Sequence, residues 1–107
     1  MPIFVMLSVL SNEGSETLHT RPDRIGLVDE ELKVMGCRVI DQYALLGQYD
    51  FLTIVEARDA ETVAHLSVDL SSRGGVHIQT LPAIPLDLFI GKLKSHEQLG
   101  RGKVKTD

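Results

Sequence analysis

Residues 2–10 form a nearly unbroken apolar run in which both alternating sets are hydrophobic. Ile3, Val5, Leu7 and Val9 make one set; Phe4, Met6 and Leu10 make the other, interrupted only by Ser8. A strand apolar on both sides is a strand buried on both sides. Residues 11–15 read as a loop or loose first turn, where Asn12 or Ser15 can cap a short helical segment. Thr20-Arg21-Pro22-Asp23 opens a clearer helix: proline suits a first turn and Asp23 the positive end of the dipole. Ile25, Val28, Leu32 and Met35 then recur at helical spacing, with Asp29, Glu30, Glu31 and Lys33 outside the stripe. Gly36 is a natural stop for this helix.

Residues 37–46 and 51–57 are both rich in strand formers and are separated by Leu46-Gly47-Gln48-Tyr49-Asp50. Gly47 accepts a positive φ without steric cost, so the chain is expected to reverse here. With Gly47-Gln48 as the turn, Tyr43 faces Leu52, Gln42 faces Thr53 and Asp41 faces Ile54; a loop spanning 46–49 keeps that register. Asp59 is a good N-cap for a second helix, with Glu61 in its first turn and Val63, Leu66 and Leu70, joined by Ser67, as its buried stripe. Gly74-Gly75 stops that helix, and residues 76–81 alternate as a last strand that Pro82 and Pro85 are expected to end. Residues 85–90 read as a short apolar turn of helix. From Gly91 the chain is polar and basic, so residues 1–91 read as the domain and 92–107 as a flexible C-terminal tail.

The order β-α-β-β-α-β predicts an α+β, ferredoxin-like domain: a four-stranded antiparallel sheet with both helices on one face. The other face is then too apolar for water. Packing two sheets face to face in a homodimer covers it; the competing solution is cover by Leu88-Phe89-Ile90 of the same chain.

Composition narrows the classes of function. The chain has 107 residues, enough for one domain with its own core. Its one cysteine, Cys37, allows no internal disulfide, so the cytoplasm is the default compartment. No apolar run is long enough for a membrane span, and the N-terminus does not read as a signal peptide. Residues 1–91 carry 6 Lys+Arg against 13 Asp+Glu, and residues 92–107 carry 5 against 2. An acidic body argues against nucleic acid as a partner. Phosphate-cradling glycine loops and nucleophile elbows do not occur, and neither Cys37 nor any pair of histidines has zinc spacing.

The remaining chemistry is sparse. Tyr49 and Asp50 read either as a ligand contact and a base, or as a turn in which Asp50 accepts backbone N–H groups. His77 and Gln79 have the opposite parity to Val76 and Ile78, which aims them at the helix-free face; an imidazole there can act as acid or base near neutral pH. Tyr43 and Asp41 share a strand face and, with Leu52 and Ile54 opposite, can line a mostly apolar pocket. Glu56 is expected to pair with Arg38 or Arg58 at the surface.

Leu46-Gly47-Gln48-Tyr49-Asp50, followed by Ile54-Val55-Glu56-Ala57-Arg58-Asp59, resembles the signature of GYD domain proteins. That pattern runs Tyr-Trp-Thr-Leu-Gly-Gly/x-Tyr-Asp and then an apolar strand ending Val-Glu-Ala-x-Asp. Residues 74–84 are similar to the family's Gly-Asn-Val-Arg-Thr-x-Thr-Leu-x-Ala-Phe, so the resemblance spans about residues 2–90. Here the family's Trp-Thr is Ala44-Leu45, the third turn glycine is Gln48 and the closing Phe is Ile84. The resemblance implies a dimeric α/β barrel and no particular reaction. Three functions follow as expectations. The first is a homo-oligomeric small-molecule-binding or regulatory protein whose cavity lies on the helix-free face, with Asp41, Tyr43, Ala44 and Gln79 as ligand contacts. The second is a cofactor-free monooxygenase or isomerase using His77 with Tyr43 or Tyr49, Asp50 being the other candidate base. The third is a structural subunit without ligand. No cofactor is assigned and no tightly bound metal is expected; the partners expected are a second copy and a small apolar molecule.

Overall fold

The computed structural model describes residues 1–95. The elements run β1 (Ile3–Leu10), α1 (Asn12–Thr20), α2 (Arg24–Val34), β2 (Cys37–Ala44), β3 (Phe51–Ala57), α3 (Ala60–Ser71), β4 (Val76–Ala83) and α4 (Leu86–Ser95). All pairings are antiparallel in the order β2-β3-β1-β4, so β1 lies inside the sheet, as its two-sided apolarity requires. This is the expected β-α-β-β-α-β arrangement with α1 and α4 added. Phe4 and Met6 of β1, Val55 and Ala57 of β3 and Cys37 of β2 meet Leu32 of α2 and Val63, Leu66 and Leu70 of α3 in one core. Val55 and Leu66 are fully enclosed. Asp59 caps α3 as read from the sequence, its carboxylate accepting the Thr62 N–H at 2.8 Å. Ser67 on the same helix shares a 2.7 Å hydrogen bond with Thr80 of β4.

The hairpin register is the expected one: Tyr43 faces Leu52, Gln42 faces Thr53 and Asp41 faces Ile54. The connection is the longer loop, closed by the Leu45 N–H donating to the Asp50 carbonyl at 2.8 Å, with Gly47 at φ 107°. Between Val39 and Asp41 the register shifts at Ile40. This bulge inverts the parity of β2. Cys37 and Val39 therefore join the core, while Asp41 and Tyr43 stand on the opposite face.

Four expectations need correction. Residues 12–20 are a full helix rather than a loose turn, and its N-cap is Ser11, whose Oγ accepts the Gly14 N–H at 3.0 Å. Pro82 does not end the last strand: it pairs opposite Phe4, and Ala83 opposite Ile3. β4 is an edge strand, and proline's missing N–H is tolerated where it would point away from the ladder. The apolar turn after Pro85 is a ten-residue helix, Leu86–Ser95, rather than a short turn. It has no buried residue, so it does not cover the helix-free face. The rest of the expected tail, residues 96–107, lies outside the described residues. Finally, Ala44 shares its face with Gln42, on the helix side, not with Tyr43.

The start of α1 is locked to the turn before β4. Ser11 N–H donates to the Gly75 carbonyl at 3.1 Å, and a Cβ on Gly14 would overlap that same carbonyl oxygen. Neither backbone can yield without breaking this contact. Gly14→Ala is therefore expected to lower unfolding free energy by about 1–3 kcal/mol, as overpacking does, measured by urea denaturation.

Candidate functional site

The Tyr49-Asp50 pair is a clasp. Asp50 Oδ2 accepts the Leu10 N–H at 2.8 Å, and its own N–H donates to the Ser8 carbonyl at 2.8 Å. Its carbonyl also closes the hairpin loop, so one residue ties that loop to the end of β1. The N–H that its carboxylate accepts comes from β1, not from the turn itself. Tyr49 continues across: its hydroxyl donates to Gln79 Oε1 on β4 at 2.7 Å. The loop thus reaches over β1 to the far edge of the sheet.

The register fixes what stands on the helix-free face. One row reads Tyr43, Leu52, Leu7, Gln79; the next reads Asp41, Ile54, Val5, Leu81; a third reads Arg38, Glu56, Ile3, Ala83. His77 faces Val9 on the same side. The middle of this face is aliphatic and the edges are polar. On the β2 edge the Tyr43 hydroxyl donates to Asp41 Oδ2 at 3.2 Å. Arg38, rather than Arg58, pairs with Glu56 at 2.7 Å. Strands lie about 4.8 Å apart, so the Tyr43–Asp41 pair is about 14 Å from His77 and Gln79 across β3 and β1. Within one protomer the structure brings Tyr49 to Gln79 and Tyr43 to Asp41, and no hydrogen bond joins His77 to either tyrosine among the described residues. The His77 side chain is exposed and makes no hydrogen bond among the described residues.

The helix side holds a feature that the sequence reading missed. Beneath α1 and the first half of α2 a groove of about 700 Å³ opens onto the sheet. Met6, Phe51, Ile78, Ile25 and Val28 supply its apolar lining. At the β2 end, Gln42 Nε2 donates to Asp29 Oδ1 at 3.2 Å and lies 3.4 Å from Thr53 Oγ1. Asp29 is half-buried; burial pushes its carboxyl above the usual range, opposed by the Gln42 hydrogen bond and reinforced by neighbouring Glu30. Ala44 and Ser8 complete the floor. Ser8, the lone polar interruption of the first strand, was the available clue. Asp29 gave none, because on a helix it reads as ordinary solvated surface.

An antiparallel sheet with helices over one face and an apolar, polar-edged second face defines a small α+β domain. The chain belongs to the GYD domain family, whose sequence model matches residues 4–91. The glutamine synthetase and cystathionine beta-lyase binding protein of Thermus thermophilus is 50% identical over 95 residues, covering 88% of this chain and all of that protein. No solved structure is significantly similar to the chain. No helix among the described residues is long and apolar enough to cross a membrane, and no group of three or more His, Cys, Asp or Glu there is placed to hold a metal ion.

Two substitutions separate structure from chemistry. Asp50→Ala strands the Leu10 N–H and is expected to cost about 1–3 kcal/mol in denaturant unfolding, whereas Asp50→Asn keeps an acceptor and recovers most of that loss. At Asp29 the sign is opposite. Its folded pKa lies above the ordinary 3.8, so the ionised carboxylate costs stability at neutral pH. That cost fades as pH falls through the folded value and is gone below the unfolded one. Asp29→Asn keeps the Oδ1 acceptor, so its thermal midpoint at pH 7 should equal or exceed wild type, and the difference should vanish in acid.

Proposed function

We propose that this protein is a cytoplasmic, homodimeric binding module that docks onto a metabolic enzyme and regulates it. The observation that carries the reading is the helix-free face: aliphatic rows on β1 and β3, rimmed by Tyr43–Asp41, Arg38–Glu56 and Tyr49–Gln79. A contiguous apolar patch with a polar rim is the anatomy of a protein interface. Its two-fold packing against a second copy gives the barrel-like dimer that the GYD resemblance implies, and a stable interface of this kind buries about 1,200–2,000 Å². The outward helix surfaces are then left to meet other proteins. The name of the Thermus thermophilus relative, which refers to binding glutamine synthetase and cystathionine beta-lyase, supports enzymes as the partners here.

The test is titration calorimetry of the full chain against purified glutamine synthetase and cystathionine beta-lyase from its own source organism. Saturable binding to at least one, at micromolar affinity or tighter, is expected. No heat with either at concentrations of about 100 μM would overturn the docking reading. Leu7→Lys places a charge at the centre of the aliphatic rows and is expected to raise the dimer dissociation constant at least about 100-fold.

A further inference from the structure

The groove beneath α1 and α2 is separate from the helix-free face, and its chemistry specifies a ligand. We propose that it is a binding site for a small organic amine: an apolar body lies against Met6, Phe51 and Ile78, and an ammonium head meets Asp29 and Gln42. This inference stands whether or not the enzyme-docking reading holds.

Three observations converge. The first is shape: about 700 Å³ lies within the range that takes small molecules, and the apolar part of the lining meets a hydrogen-bonded polar cluster of Asp29, Gln42 and Thr53 at the β2 end. The second is the arrangement of donors and acceptors. A carboxylate only accepts, so Asp29 fixes the orientation of the Gln42 amide with Nε2 toward it. That nitrogen is already engaged by Asp29 Oδ1 and Thr53 Oγ1. What remains at this end is acceptor capacity: Gln42 Oε1 and Asp29 Oδ2. A ligand that donates two or three hydrogen bonds satisfies them, and an ammonium group does so with charge assistance.

The third is charge. Glu13, Glu16 and Asp29 line the groove without an ion pair among the described residues. Of the two arginines beside them, Arg73 is engaged by Glu31 at 2.7 Å and Asp69 at 3.0 Å, which leaves only Arg24. The local balance favours a cation. The half-buried Asp29 carboxylate, whose pKa burial raises, is the group that such a cation relieves. Ala44, with its small side chain, keeps the floor open.

Matched probes test this. The full chain is titrated calorimetrically with tryptamine, tryptophol and indole-3-propionate, which share a body and differ in the head, and with hexylamine, hexanol and hexanoate as a slimmer series. The amine of at least one series is expected to bind at least about tenfold tighter than its alcohol and its acid. Asp29→Asn should remove that preference while leaving alcohol binding unchanged, and Ala44→Trp should abolish binding of the whole series. Gln42→Leu serves as a second head-group variant, with circular dichroism confirming the fold of each. If the alcohol or acid binds as tightly as the amine in both series, if Asp29→Asn and Gln42→Leu leave the preference intact, or if no amine binds at concentrations of about 10 mM, the proposal is wrong.

Discussion

The structure depends on one constraint: its central strand is apolar on both sides, while its helices cover only one. Phe4 and Met6 are buried against α2 and α3. Ile3, Val5, Leu7 and Val9 point the other way, among Leu52, Ile54 and Leu81. Exposing such a surface to water costs about 25 cal/mol per Å² of apolar area, so its cover contributes as a core does. The C-terminal helix does not supply that cover. We propose that a second copy of the same face supplies it, because the aliphatic rows of one sheet would be complementary to those of another under two-fold symmetry.

The Gly47-Gln48-Tyr49-Asp50 loop has a place in this scheme that needs no chemistry. Asp50 ties the hairpin to the end of β1, and Tyr49 ties it to Gln79 on β4. The hairpin, the central strand and the far edge are thereby held as one surface. The Ile40 bulge works alongside it by sending Cys37 and Val39 to the core and Asp41 and Tyr43 to the opposite side. The two devices shape the helix-free face, and the family signature marks the first of them.

Much of this was legible in the sequence because strand parity and cap chemistry are local. The Tyr43–Leu52 register, the Asp59 cap, the Val63-Leu66-Leu70 stripe and the aim of His77 and Gln79 all follow from spacing alone. What was not legible depended on three-dimensional context. α1 buries no residue, so it leaves no periodic stripe to read. Pro82 stays in its strand because β4 is an edge, which only the sheet order reveals. Parity alone puts Ala44 beside Gln42 on the helix side, apart from Tyr43 with which it was grouped. The Asp29–Gln42–Thr53 cluster joins a helix to two strands, and each member looks like ordinary surface until the helix is laid over the sheet.

The central claim is that the helix-free face is closed by a second copy of the chain. Sedimentation equilibrium of the full, untagged protein at low micromolar concentration tests it most directly. The account predicts a mass of twice the 11.8 kDa protomer, or an even multiple of it. A mass of 11.8 kDa across the micromolar range would contradict it.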